Sequence, residues 1–265
     1  MSRLNFVFSS LPQGQKAFIP FITAGDSGLD NTFELMQTLV ENGADIIELG
    51  VPFSDPMADG PVIAKSHERA VSADVSLQDV LNLVQKFRQT NDKTALVLMG
   101  YLNPIEVFGY QKFAIAAGKS GVDGVIVVDM PPEEAADLKQ NLSANSIDLI
   151  FLIAPTTTDK RLKSLAKIAS GFVYFVSLKG ITGAGNLDVE TVNNNLSRIR
   201  QFIDLPIGVG FGIKDAATAK AVSKFSDAVI VGSSLVAFVE KHGADKAKML
   251  ASVGALANEI SSAIK

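Results

Sequence analysis

The segment Glu48-Leu-Gly-Val-Pro-Phe-Ser-Asp-Pro-Met-Ala-Asp-Gly-Pro61 gathers three carboxylates, at Glu48, Asp55 and Asp59. Glu48 closes the apolar run Asp45-Ile-Ile-Glu-Leu, which predicts a buried strand. Asp55 and Asp59 follow in a stretch rich in proline and glycine. A carboxylate at the end of a strand, with a second on the loop beyond it, is how a barrel enzyme builds an acid/base site. Each residue has a plainer reading beside that one. A buried glutamate can be a structural acid paired with a buried donor, although that is a rare arrangement. An aspartate beside proline can bond nearby N–H groups in a turn. The turn reading is strong for Asp55 and stands level with catalysis for Asp59.

Three glycine-rich segments could bring the backbone close to an anion: Lys179-Gly-Ile-Thr-Gly-Ala-Gly185, Val209-Gly-Phe-Gly-Ile213 and Val231-Gly-Ser-Ser234. Any one of them could equally be a tight corner between strand and helix. The last two, on successive strands of a barrel, predict a phosphate grip that uses helix N-terminal N–H groups. Phe21, Tyr101, Tyr174 and Phe211 fall near strand ends, where they could wall an aromatic ligand or simply pack. Lys179 could form a Schiff base, but a solvated loop lysine is the simpler reading. His67 and His242 read as surface or helix residues.

The elements that must hold these groups are eight short apolar runs. They begin near Ala17, Asp45, Ala95, Val122, Ile147, Gly171, Pro206 and Asp227. They are rich in Val and Ile without clean alternation, which predicts strands buried on both faces, as in a parallel sheet. Helical patterns alternate with them: Leu29–Asn42, Ser76–Gln89, a start at Pro131-Pro132, and stretches near 158–169, 188–202, 214–224 and 244–264. A short helical run follows Val231-Gly-Ser-Ser234. Eight such units predict a single (β/α)8 TIM barrel over residues 1–265, with an extra N-terminal helix. The long gaps from 45 to 95 and from 171 to 206 predict extended loops after strands 2 and 6, on the catalytic face. A doubly wound open sheet is the alternative. The lack of a Gly-x-Gly-x-x-Gly turn after strand 1 weighs against it.

Composition narrows the chemistry. The 265 residues carry a formal net charge of −4 and show no basic patch, which argues against nucleic acid. Cysteine is absent, excluding disulfides and thiolate chemistry and fitting a cytoplasmic protein. With only two histidines, far apart in sequence, a His-rich metal site is excluded. No signal-peptide core or membrane-spanning run is present.

Six motifs then stand in order: Pro20-Phe-Ile-Thr-Ala-Gly-Asp26, Glu48 to Pro61, Met99-Gly-Tyr-Leu-Asn-Pro104, Asp129-Met-Pro131, Gly180-Ile-Thr-Gly-Ala184 and Gly208-Val-Gly-Phe-Gly-Ile213. Together they resemble the tryptophan synthase alpha subunit family over essentially the whole chain. The resemblance implies a lyase that cleaves indole-3-glycerol phosphate to indole and glyceraldehyde 3-phosphate. It implies catalytic roles for Glu48 and Asp59. It places Phe21, Tyr101, Tyr174 and Phe211 around the indole, and Gly183, Gly212, Gly232 and Ser233 on the phosphate. Thr182 matches a loop threonine that orders the aspartate when the lid closes. No cofactor is implied for this chain; pyridoxal phosphate is expected only in a partner beta subunit, in an alpha2-beta2 complex. Asp129-Met-Pro131 and the loop after strand 2 are the implied partner contacts. Leu178-Lys179 departs from what many relatives carry before the loop 6 glycine.

The reaction suits these residue types. It is a retro-aldol cleavage, in which indole leaves once its C3 is protonated. A strand glutamate with a raised pKa can deliver that proton, and a carboxylate near the indole N–H can stabilise the positive charge. Two rivals differ in kind: a Schiff-base aldolase using Lys179, and a non-catalytic barrel that binds a phosphorylated ligand and regulates a partner; a stand-alone indole-releasing lyase differs from the main reading only in needing no partner.

Overall fold

The computed structural model describes residues 2–177, 189–210 and 212–265. Eight parallel strands close into a barrel in chain order. They are β1 (Ala17–Thr23), β2 (Ile46–Gly50), β3 (Ala95–Gly100), β4 (Gly124–Val127), β5 (Asp148–Ile153), β6 (Val173–Val176), β7 (Ile207–Gly210) and β8 (Ala228–Val231). Each lies inside a run predicted from the sequence, and the open-sheet alternative is set aside. The register pairs Glu48 with Phe21 on one side and Val97 on the other.

Alternation along each strand sorts the side chains. Ile46, Val97, Ile126, Ile150 and Phe172 pack together in the barrel interior, while Ile47, Leu49, Leu96 and Val125 belong to the layer between strands and helices. Both faces are therefore buried, as continuous rather than alternating hydrophobicity predicts. Glu48 follows Ile46 by two residues and so shares its inward face.

The extra N-terminal helix is α1 (Arg3–Ser10), capped by Ser2. Leu4 and Val7 join the interior cluster, so α1 closes the barrel floor. The outer layer holds α2 (Leu29–Glu41), α4 (Leu77–Arg88), α7 (Ala136–Ala144), α8 (Asp159–Ile168), α9 (Val189–Ile199), α10 (Ala216–Ser223), α11 (Ser233–His242) and α12 (Lys246–Ile264). The helix start predicted at Pro131-Pro132 is a 3-10 turn, Pro132–Glu134, leading into α7. Ser76 starts α4 through a full capping box with Asp79.

Three further helices follow β2 and β3. The extra residues after β2 form the loop 51–60 and then α3 (Pro61–Ser72), with Pro61 in its first turn. After β3 come α5 (Leu102–Phe108) and α6 (Tyr110–Ser120), separated by Gly109 at φ 87°. Of the three, α6 packs against α4 and α7 in the outer layer. The segment after β6, including Lys179, Thr182 and Gly183, lies outside the described residues, as does Phe211.

The floor is stitched by a device repeated on alternate strands. Asp45, Asp123 and Asp227 precede β2, β4 and β8. They accept the backbone N–H of Phe18, Leu96 and Ile207 at 2.8, 2.8 and 2.9 Å. Ser170, before β6, accepts from Leu149 N–H at 3.0 Å. Arg88 and Arg3 both reach Asp123, at 2.6 and 2.9 Å.

Candidate active site

Glu48 sits at the heart of the barrel mouth, 1% exposed. Its Oε2 has no hydrogen-bond partner among the described residues. The structural reading of this residue needs a buried donor on that oxygen, and the described residues provide none. Burial, reinforced by the nearby Asp59 charge, pushes its carboxyl up to about 8. Glu48 is therefore protonated at neutral pH and can give a proton away.

Asp59 is placed by the loop after β2 and by the start of α3. The Tyr101 hydroxyl donates to Asp59 Oδ2 at 2.8 Å, and Ala58 N–H donates to the Tyr101 oxygen at 3.0 Å. This chain of donors polarises toward the carboxylate. Burial raises the Asp59 pKa, while the Tyr101 bond works in the opposite direction. Burial and the adjacent Asp59 charge raise Tyr101, which keeps its proton as a donor. The two buried carboxyls have different surroundings: Glu48 Oε2 has no partner among the described residues, whereas Asp59 accepts from the Tyr101 hydroxyl.

Asp55 follows its turn reading. Its backbone carbonyl accepts from Met57 N–H at 2.8 Å and its carboxylate from the Ser54 hydroxyl at 2.6 Å. Asp129 caps α5 by accepting from Leu102 N–H at 2.8 Å.

The aromatic positions converge on the same mouth. Phe21 pairs with Glu48 across the β1–β2 register, and its ring covers Gly50 so closely that a Cβ there would fall 2.7 Å from Cζ. Its Cβ lies against Gly232 at the start of α11. Tyr174 lies over Gly210 of β7, where a Cβ would come within 2.0 Å of its hydroxyl. Burial, with Glu48 and Asp59 nearby, raises Tyr174 well above its ordinary pKa. Tyr101 stacks on Phe53 at 5.1 Å between ring centroids. A cavity of about 520 Å³ opens between Asp59, Met99, Leu152, Tyr174, Val176 and Arg161. Its size and mixed lining suit a bicyclic aromatic with a polar chain.

On the opposite wall, Gly212 adopts φ 76°, in the left-handed region that favours glycine. Gly232 forms the N-cap of α11 and Ser233 its first residue. The N–H groups of a ten-residue helix thus face the mouth, with the dipole favouring an anion.

His67 corrects a sequence expectation. It is helical, on α3, yet 3% exposed and set against Asp59. His242 is helical and stacks on Phe238.

Comparison with known proteins agrees with this geometry. The family model described as "Tryptophan synthase alpha chain" matches residues 8–265. The chain is 72% identical over all 265 residues to the tryptophan synthase alpha chain of Ruthia magnifica, covering 100% of both. It is 52% identical, again over full lengths, to that of Neisseria meningitidis. Among solved structures, the alpha subunit from Legionella pneumophila superposes with a TM-score of 0.93 at 40% identity, covering 100% of this chain and 98% of that one. The tryptophan synthase complex from Pyrococcus furiosus gives 0.84 at 34% identity, covering 94% and 99%. A barrel with a proton-bearing glutamate and a supported aspartate at one mouth, aligned end to end with these relatives, belongs to the tryptophan synthase alpha chain family.

Proposed function

We propose that Glu48 and Asp59 carry the alpha reaction of that family in this chain, the cleavage of indole-3-glycerol phosphate to indole and glyceraldehyde 3-phosphate. The observation that carries the assignment is the buried, protonated Glu48 carboxyl, whose Oε2 has no partner among the described residues, beside the hydrogen-bonded Asp59. Glu48 gives its proton to indole C3. The Asp59 carboxylate stabilises the positive charge that develops toward the indole N–H. The bond between C3 and the glycerol chain then breaks, its electrons return to the indole ring, and the adjacent hydroxyl loses its proton as the aldehyde forms. Glu48, now a carboxylate, is the base for that proton.

Phe21, Tyr101, Tyr174 and Phe211 wall the indole in this reading. Gly183, Gly212, Gly232 and Ser233 hold the phosphate, and Thr182 orders Asp59 when the loop after β6 closes. Two carboxylates suffice for the proton transfers, so no metal or organic cofactor is required of this chain. The reading extends to a cytoplasmic alpha2-beta2 complex in which a beta subunit consumes the indole. The cysteine-free composition and the Pyrococcus relative, itself a tryptophan synthase complex, support it.

Indole release by the purified chain, with and without an added tryptophan synthase beta subunit, tests the assignment. Glu48→Gln should lower kcat by about 10²–10⁴-fold with the fold intact, and Asp59→Asn should also cost rate heavily. Retention of more than about a tenth of the rate by Glu48→Gln would remove it from the mechanism.

A further inference from the structure

His67 is buried on α3 without being used by the chemistry above. The helix that carries it is pinned to the end of β1 and to the turn that follows it. Ser66 meets the Thr23 hydroxyl at 2.6 Å, and Arg69 grips Asp26 with two nitrogens at 2.5 and 3.1 Å. Arg69 also lies 3.5 Å from Glu240 of α11. Between these anchors the imidazole has little freedom to move. Its Nδ1 accepts from Phe53 N–H at 3.2 Å, which fixes the proton on Nε2. That Nε2 faces Asp59 Oδ2 at 3.6 Å, a few tenths of an ångström beyond hydrogen-bond contact. Burial lowers His67 to about 4, so the ring is neutral and presents one donor and one acceptor.

The two ends of this ring therefore join two parts of one loop. Nδ1 holds the backbone at Phe53, whose side chain stacks on Tyr101. Nε2 lies 3.6 Å from Asp59 Oδ2, the same carboxylate oxygen that accepts from the Tyr101 hydroxyl. We infer that His67 is a positioning residue for the cleavage: its Nε2–H, 3.6 Å from Asp59 Oδ2 in the free site, closes to a hydrogen bond in the substrate complex and holds Asp59 in the orientation that meets the indole N–H. The inference rests on the role given to Asp59 above.

Indole release at saturating and limiting substrate, with beta subunit present, tests it on four variants. His67→Leu removes both ring contacts at similar size, and kcat should fall roughly ten- to a hundredfold with a smaller change in KM. His67→Gln returns an N–H donor near the Nε2 position and should recover most of that kcat. Asp59→Asn should be slow, and adding His67→Leu to it should cost no further rate, because the histidine acts through the aspartate. Unchanged kcat in His67→Leu while Asp59→Asn is slow would overturn the positioning role alone. Equal kcat losses in the Leu and Gln variants, or fully multiplicative losses in the double variant, would likewise reduce His67 to a packing residue. Full activity in Asp59→Asn would instead sink the role of Asp59 itself.

Discussion

Glu48 trades stability for a proton at the right place. Its unfolded carboxyl titrates near 4.5 and its folded one near about 8. Between those values the folded chain holds a proton that the unfolded chain has lost, so stability falls as pH rises through that window. His67 has the opposite sign: its folded value of about 4 lies below the ordinary 6.5, and stability is lost as pH falls between them. Comparing the wild type with Glu48→Gln isolates the glutamate. Across the upper window the wild type should lose on the order of 2–4 kcal/mol more than the variant, read from urea midpoints at several pH values. Parallel curves for the two proteins would show that Glu48 is not desolvated as its surroundings imply. At this scale much was legible in the sequence. A lone Glu in an apolar strand and an Asp before Gly60-Pro61 are unusual enough to mark themselves. His67 was not legible, because a histidine on a polar-looking segment carries no sign of what faces it.

The elements show why. The strands were readable because burial on two faces leaves uninterrupted Val/Ile runs. α2 and α4 were readable because one apolar stripe faces the barrel. α3 buries Ser66, His67 and Ala70, so its inward face has no apolar period to detect. α5 is short and buries Ile105, and α6 buries mainly small residues with Phe113. Strand packing also sets the shape of the mouth. Gly210 of β7 leaves room for the Tyr174 ring of β6. In Gly210→Ala the new methyl would occupy the place of the tyrosine hydroxyl, so the ring must swing from the wall. A loss of about tenfold in kcat/KM is expected, read from indole release. Unaltered kinetics would mean that Tyr174 does not shape the pocket.

Across the whole molecule, the proposed chemistry and the densest polar bonding sit at opposite ends of the barrel. The mouth holds an acid whose Oε2 has no partner among the described residues, whereas the floor is heavily bonded. Asp123 takes the Leu96 N–H and both arginines, one of which, Arg88, is largely buried. Asp123→Ala leaves that guanidinium without a counter-charge and should cost roughly 3–5 kcal/mol in urea denaturation. The folded fraction should cleave at the wild-type rate. A fall in kcat at constant folded fraction would show that the two ends are coupled.

The closure of the floor by α1 has a consequence for how the chain comes into being. Ser2 and Arg3 bond to Asp148, Asp123 and Asp92 across sequence separations of 146, 120 and 89 residues. Leu4 Cδ1 lies where a Cβ on either Gly124 or Gly171 would come within 3.0 Å. Helix α1 leaves the ribosome before the strands it closes and is thus seated by residues made long afterwards. Contacts of such range slow folding, since the intervening chain must be ordered before they form. A nascent chain that has not yet reached β6 has no finished seat for α1, and Leu4 and Val7 must wait in water until the barrel around them is built.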